Sequence, residues 1–137
     1  MIKEDYVSFE TAKLLEEKGF DVPCEHYYAK EVLFDKDYIH LLYTDEPLHN
    51  SEIKSENINF QAWECTAPTL QMAIKWLREE HKIFITIGLC TYPILNKCTW
   101  IPQVETLNDC YPNVSKEYDT YEEACEAAIK YCLENLI

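Results

Sequence analysis

The sequence is poor in glycine: Gly19 and Gly88 are the only two glycines among 137 residues, against an average of about 7%. A dinucleotide-binding G-x-G-x-x-G motif and a P-loop both need several glycines close together. Neither motif can be written from two glycines placed so far apart. Nucleotide binding through a glycine-rich phosphate loop is therefore excluded.

Long apolar runs are also missing, since no segment approaches the ~20 apolar residues of a membrane-spanning helix. The first ten residues, MIKEDYVSFE, contain two acids within the first five positions and no apolar block. This pattern is unlike an ordinary signal peptide. We therefore expect no membrane association and a cytoplasmic location.

Basic residues are scarce, with 12 Lys and Arg against 25 Asp and Glu, which gives a net charge of −13. Such a chain repels phosphate backbones, so direct nucleic-acid binding is not expected. The charge can simply keep a small protein soluble. It can also belong to a DNA mimic that inhibits a host nucleic-acid-binding protein. Bases interrupt the acids on every predicted helix, which weakens the mimic hypothesis: Lys13, Lys18, Lys75, Arg78 and Lys130.

The seven cysteines are odd in number, widely spaced and without a C-x-x-C motif. This usage is unlike a secreted disulfide scaffold and predicts reduced thiols. A zinc site needs about four ligands, usually in two close pairs. Cys24 and His26 form the only close Cys/His pair. We therefore predict no metal and no cofactor.

A cysteine-dependent enzyme is the second alternative to a binding protein. Cys65 lies shortly before a predicted helix, where a positive helix end could lower its pKa, and Cys24 is the other candidate, each with a histidine partner. Adjacent helical carboxylates, such as Glu79 and Glu80, point about 100° apart and do not share a proton. We assign no catalytic residue and expect no enzymatic activity.

Three helices are predicted, over residues 9–18, 69–81 and 121–135. Ser8 is a good N-cap for the first, and Gly19 is a suitable residue just beyond its end. Pro68 suits the start of the second. Thr120 and Glu123 form a capping box at the third.

Strands are predicted where branched and aromatic residues cluster or alternate. The segments are residues 25–29, 37–43, 58–65, 83–90 and 97–105, with a last short strand at 114–118. The fold class is therefore α+β, with three helices packed on a mainly antiparallel sheet of about five strands. Residues 1–137 are expected to form a single domain.

The letters AIKW at 73–76 and AIKY at 128–131 fall in two of these helices. Each helix follows a predicted strand, so one strand–helix arrangement is used twice over the same kind of sheet face. The likeness is compatible with an internal duplication and equally with convergence on a common helical pattern.

The second helix carries an apolar stripe in addition to its core-facing one. Met72 and Trp76 lie four residues apart, on the side away from Leu70, Ile74 and Leu77, with Lys75 and Glu79 as a polar rim. A tryptophan buries ~150–250 Å². Two interpretations follow: the stripe is covered within the chain, or it meets a protein partner or a second copy.

Three blocks resemble small uncharacterised proteins of Bacteroides-type gut bacteria, their phages and mobile elements: SFETAKLLEEKGF, APTLQMAIKWLREEH and YEEACEAAIKYCLENLI. The middle block is the most specific, through an APT…KWLRE-x-H pattern made of Ala67, Pro68, Thr69, Lys75, Trp76, Leu77, Arg78, Glu79 and His81. Residues 24–62 do not match. The resemblance implies a phage-related or mobile-element setting and brings no activity. Function is thus unknown, and a small acidic accessory protein acting by protein binding or self-association is the leading hypothesis.

Overall fold

The computed structural model describes residues 2–53, 57, 58 and 61–137. Its class is α+β with three helices and antiparallel strands, which confirms the predicted class. The seven strands among these residues lie in two sheets, of four and three strands, where the sequence predicted one sheet of about five. The helices are α1 (Phe9–Glu17), α2 (Leu70–His81) and α3 (Tyr121–Asn135). The strands are β1 (Cys24–Leu33), β2 (Lys36–Leu48), β3 (Asn57–Ile58), β4 (Gln61–Thr66), β5 (Phe84–Tyr92), β6 (Lys97–Glu105) and β7 (Cys110–Tyr111).

The chain divides into two compact units, which we call the first unit (Tyr6–Thr69) and the second unit (residues 2–5 and 70–137). The assignment of residues 1–137 to one domain stays a prediction. In the described part of the chain, none of the helices is both long and apolar enough to cross a membrane.

The first unit has the strand order β2-β1-β4-β3, all antiparallel, with α1 packed on β4. The Ser8 hydroxyl caps α1 by accepting a hydrogen bond from the Thr11 N–H at 3.2 Å. At the other end, the Gly19 and Phe20 N–H groups donate to the carbonyls of Glu16 and Leu15. This is the Schellman arrangement, and it needs the positive φ of +91° that Gly19 adopts.

The second unit has the strand order β5-β6-β7, with α3 packed on β5 and β6 and α2 packed on α3 and β5. The buried face of α3 supplies much of its core, through six residues: Ala124, Cys125, Ala128, Ile129, Cys132 and Leu133. The Thr120 hydroxyl accepts from the Glu123 N–H at 3.1 Å, as expected for the helix N-cap.

Four local features differ from the prediction. The strand predicted over residues 37–43 is longer, since β2 spans Lys36–Leu48. Residues 114–118 form no full strand, and Tyr118 makes a single bridge to Trp100; the predicted repetition of strand and helix therefore fails before α3. The short strand β7 lies outside the predicted strands. The predicted strand 58–65 is two strands, β3 and β4, and residues 59 and 60 lie outside the described residues.

Candidate protein-interaction surface

The predicted interaction residues on α2 do not form an exposed apolar surface. Trp76 is only 8% exposed, and the edge of its indole meets the His81 ring at a centroid distance of 4.7 Å. Met72 is half-buried, whereas Lys75 and Glu79 are exposed. The burial of Trp76 favours cover within the chain over a docking role for this stripe.

The two candidate catalytic thiols lie in the core of the first unit. Burial, assisted by the Glu16 carboxylate, raises the pKa of Cys65 to about 12. Burial likewise raises the pKa of Cys24 to about 11, and its thiol donates to the Val22 carbonyl at 3.4 Å. Since the thiolate is the nucleophile, neither cysteine holds a useful population of the reactive form near neutral pH.

The Cys24/His26 pair has an aromatic environment. The His26 ring lies 4.3 Å from the Tyr6 ring and 5.5 Å from the Tyr43 ring, measured between centroids. No group of three or more His, Cys, Asp and Glu side chains within the described ranges could hold a metal ion. His26 therefore contributes ring packing, and Cys24 is a buried core thiol.

The acidic residues are paired with bases at several places. Lys13 lies 3.8 Å from Glu16 and 3.5 Å from Glu64. Lys130 lies 3.8 Å from Glu134, one helical turn away. These pairs place positive charge among the acids of α1 and α3, which disfavours the continuous acidic stripe of a DNA mimic.

A cleft of about 380 Å³ opens in the first unit beside the end of α1. Its polar groups are already engaged: Asp21 accepts from the Ser51 N–H at 2.8 Å and from the Ser51 hydroxyl at 3.0 Å. The Asn50 amide donates to the Phe20 carbonyl at 2.7 Å. The hydrogen bonds from Ser51 lower the pKa of Asp21. Together with the Asn50 bond, they hold the segment after β2 against the residues that follow α1. The polar residues that line the cleft therefore serve to anchor this segment.

The β1–β2 hairpin carries the most unusual surface of the described chain. Phe34 and Asp35 form its two-residue turn, with φ angles of 51° and 61°. Turns of this hand favour Asn-Gly, and an L-residue in the left-handed region costs roughly 1–2 kcal/mol. Phe34 is nevertheless 95% exposed, and the preceding Val32 and Leu33 are exposed as well. We call Val32, Leu33 and Phe34 the hairpin tip.

Strand β2 lies at the end of the sheet order, so one of its two edges is open in the described structure. Leu33 and Lys36 flank the two-residue turn and form the first pair of the ladder. In an antiparallel hairpin such a pair is hydrogen-bonded and the pairs then alternate. We therefore expect Ile39, Leu41 and Tyr43 to direct their N–H and C=O groups away from β1.

The side chains at this edge are apolar and accessible. Ile39, Leu41 and Tyr43 share one face of the sheet and are 40%, 42% and 60% exposed, and Tyr38 on the opposite face is exposed too. Natural sheets protect an open edge with lysine, proline, bulges or short strands. The segment 38–43, which we call the β2 edge, contains neither lysine nor proline.

Acidic residues flank the β2 edge on both sides. Asp35 and Asp37 precede it, and Asp45 and Glu46 follow it, with Lys36 as the one base between positions 35 and 46. The Asp37 carboxylate lies 3.2 Å from the Lys30 ammonium group across the hairpin. The surface is therefore an apolar centre with an acidic end at Asp45 and Glu46, while Lys30 and Lys36 balance Asp35 and Asp37 at the other end.

No protein-family model, curated protein or solved structure matches the chain.

Proposed function

We propose that this chain is a small, acidic, cytoplasmic accessory protein of phage or mobile-element origin that acts without enzymatic chemistry, by binding another protein or a second copy of itself. Its binding surface comprises the hairpin tip and the β2 edge. The α2 residues Met72, Lys75, Trp76 and Glu79, which were the first candidates, are replaced in this role because the indole is buried.

The observation that carries the proposal is Phe34, a large aromatic side chain that is 95% exposed in a backbone conformation that favours Asn or Gly. An exposed side chain buries little apolar surface, and an L-residue adopts this conformation at a cost. Strained backbone and exposed aromatics both concentrate at functional sites, and aromatic side chains are enriched where proteins bind each other. The adjoining edge extends the same surface along β2.

The test is photo-crosslinking in the cell that makes the chain. A benzoylphenylalanine replaces Phe34 in one variant and Ile94 in a matched control. Ile94 is 99% exposed and follows β5 in the second unit. Mass spectrometry then identifies the crosslinked proteins.

We expect a defined crosslinked protein from position 34 and none from position 94. A product of twice the chain mass, obtained also with the purified chain, would identify self-association and fit the same proposal. Identical products from both positions, or no product from position 34, would contradict it.

A further inference from the structure

We infer that the partner segment binds as an added strand on the β2 edge, and that it is an extended peptide with an apolar centre and basic residues that meet Asp45 and Glu46. This inference rests on the proposed function and specifies the chemistry of the partner.

The backbone argument concerns the outward groups of β2. Ile39, Leu41 and Tyr43 offer three successive N–H and C=O pairs at the spacing of a ladder. An extended peptide satisfies these groups by strand addition, in which main-chain bonds supply affinity and alternate side chains supply specificity. The six residues of the β2 edge span roughly 20 Å, enough for five or six residues of partner strand.

The side-chain argument concerns charge. Two exposed carboxylates, Asp45 and Glu46, follow the apolar centre, whereas Lys30 and Lys36 balance Asp35 and Asp37 before it. Lysine or arginine on the partner would meet Asp45 and Glu46, and a peptide with lysines at both ends does so whether it runs parallel or antiparallel to β2. Opposite charges across a strand pair are favourable, and like charges directly opposite are unfavourable.

Net charge disfavours a second copy as the occupant, because each chain carries −13 and two copies repel each other. Local charges balance instead: if two β2 strands paired antiparallel with Leu41 opposite Leu41, Asp37 of each copy would lie opposite Asp45 of the other, and Lys36 would lie opposite Glu46. A peptide with basic residues avoids the general repulsion.

The experiment measures fluorescence anisotropy of labelled peptides titrated with the full chain. The probe is a nine-residue peptide in which alternating valine and threonine separate two lysines at each end. We expect saturable binding, and we expect it to weaken about tenfold or more when glutamate replaces every lysine, because several exposed charge pairs are lost together.

Two N-methylated peptides test strand addition with no change in the protein. One carries methyl groups on the odd-numbered backbone amides of the central segment and the other on the even-numbered ones. Only one set faces β2 in a given register, so we expect one peptide to lose about tenfold in affinity and the other to bind as before, each lost hydrogen bond contributing modestly. Equal affinities for both peptides would overturn strand addition.

Charge-neutral variants test the acidic end. Asp45→Asn with Glu46→Gln should weaken the lysine peptide severalfold and flatten its salt dependence. Asp109→Asn with Glu105→Gln removes the same charge from exposed positions in the second unit and should leave binding unchanged. Equal effects of the two variants would overturn the charge assignment.

The two proposals fail separately. Absence of peptide binding, or equal binding of lysine and glutamate peptides, overturns this inference and leaves a position-34 crosslink to another protein intact. A dimer of the purified chain that Leu41→Asp dissociates also overturns it, because a second copy would then occupy the edge.

Discussion

Both units pack helices on antiparallel strands, and the helices leave different amounts of the two sheets covered. In the second unit, α2 and α3 both pack on β5, and α3 reaches β6 as well. In the first unit, the nine-residue helix α1 packs on β4. Every residue of the two edge strands β2 and β5 is exposed or half-buried, but β2 exposes four large apolar side chains, Tyr38, Ile39, Leu41 and Tyr43, whereas β5 exposes one, Leu89. Each unit folds around a hairpin, so topology alone does not produce the difference.

The contrast shows where apolar residues do something other than build a core. Core packing accounts for the apolar residues of α3, since all six residues on its buried face are fully enclosed. The apolar residues of β2 have no such explanation. A strand that keeps Ile39, Leu41 and Tyr43 accessible at an open edge incurs an aggregation risk, and the proposed binding of a partner would explain why this surface is kept.

The largest expected effect separates the tryptophans of the two units. Trp76→Ala should cost about 3–5 kcal/mol of unfolding free energy, because a large buried side chain is removed. Trp63→Ala should cost clearly less, because Trp63 is half-buried beside Tyr27. Chemical denaturation followed by circular dichroism measures both. A stable, fully folded Trp76→Ala variant would make the α2 stripe a candidate docking surface again.

A matched pair of leucines tests the difference in cover directly. Leu133→Ala in α3 should destabilise the chain by about 2–5 kcal/mol, as expected for a fully enclosed leucine. Leu41→Ala on β2 should cost under about 1 kcal/mol, because surface substitutions leave no cavity. The same denaturation experiment compares them. Equal losses would mean that β2 is buried in solution, and the proposed surface would then be wrong.

Alkaline pH should act on both units alike, since each encloses two thiols. Burial raises the pKa of Cys65 and of Cys132 to about 12, from 9.0 for an ordinary thiol. Because the pKa of each buried thiol is higher in the folded state than in the unfolded state, its contribution to stability is complete below pH 9 and is lost as pH rises towards 12. Within that window each buried thiol lowers the free energy of unfolding by up to about 1.4 kcal/mol per pH unit.

The measurement is unfolding free energy against pH from 7 to 11. Cys132→Ala should be less stable at neutral pH and should show a shallower alkaline decline. Cys98→Ala, at an exposed position, should follow the unsubstituted chain throughout. A decline that Cys132→Ala leaves unchanged would assign the alkaline loss to other groups.

Helices were the most predictable part of this fold because their signals are local. Ser8, Gly19 and Thr120 act within one turn of the helix ends they define, and the predicted boundaries agree with the structure to within a residue. The division into two sheets depends on which strands pair across long separations. No local pattern encodes that choice.

The candidate surface escaped prediction for a related reason. Residues 37–43 were correctly predicted to form a strand. The sequence pattern of an edge strand, however, resembles that of a central strand. The α2 stripe was misleading because its period showed a second apolar side without showing whether that side is covered. One signal was available: the hairpin turn carries Phe-Asp where Asn-Gly is preferred.

The smallest expected effect is a gain in stability at that turn. Replacing Phe34 by Asn together with Asp35 by Gly supplies the residues that tolerate positive φ, and removes an aromatic that contributes little burial. We expect the unfolding free energy to rise by about 1 kcal/mol, seen as a higher midpoint in thermal denaturation. Val32→Thr, a neighbouring change that leaves the turn unaltered, should not produce this gain.

Partner crosslinking from a photoreactive residue at position 39 should nevertheless fall in the Asn-Gly variant. Stability and binding would then move in opposite directions at one site, as expected where strain is kept for recognition. A loss of stability would instead show that Phe34 supports the fold, and the contrast between the two units would no longer point to the hairpin.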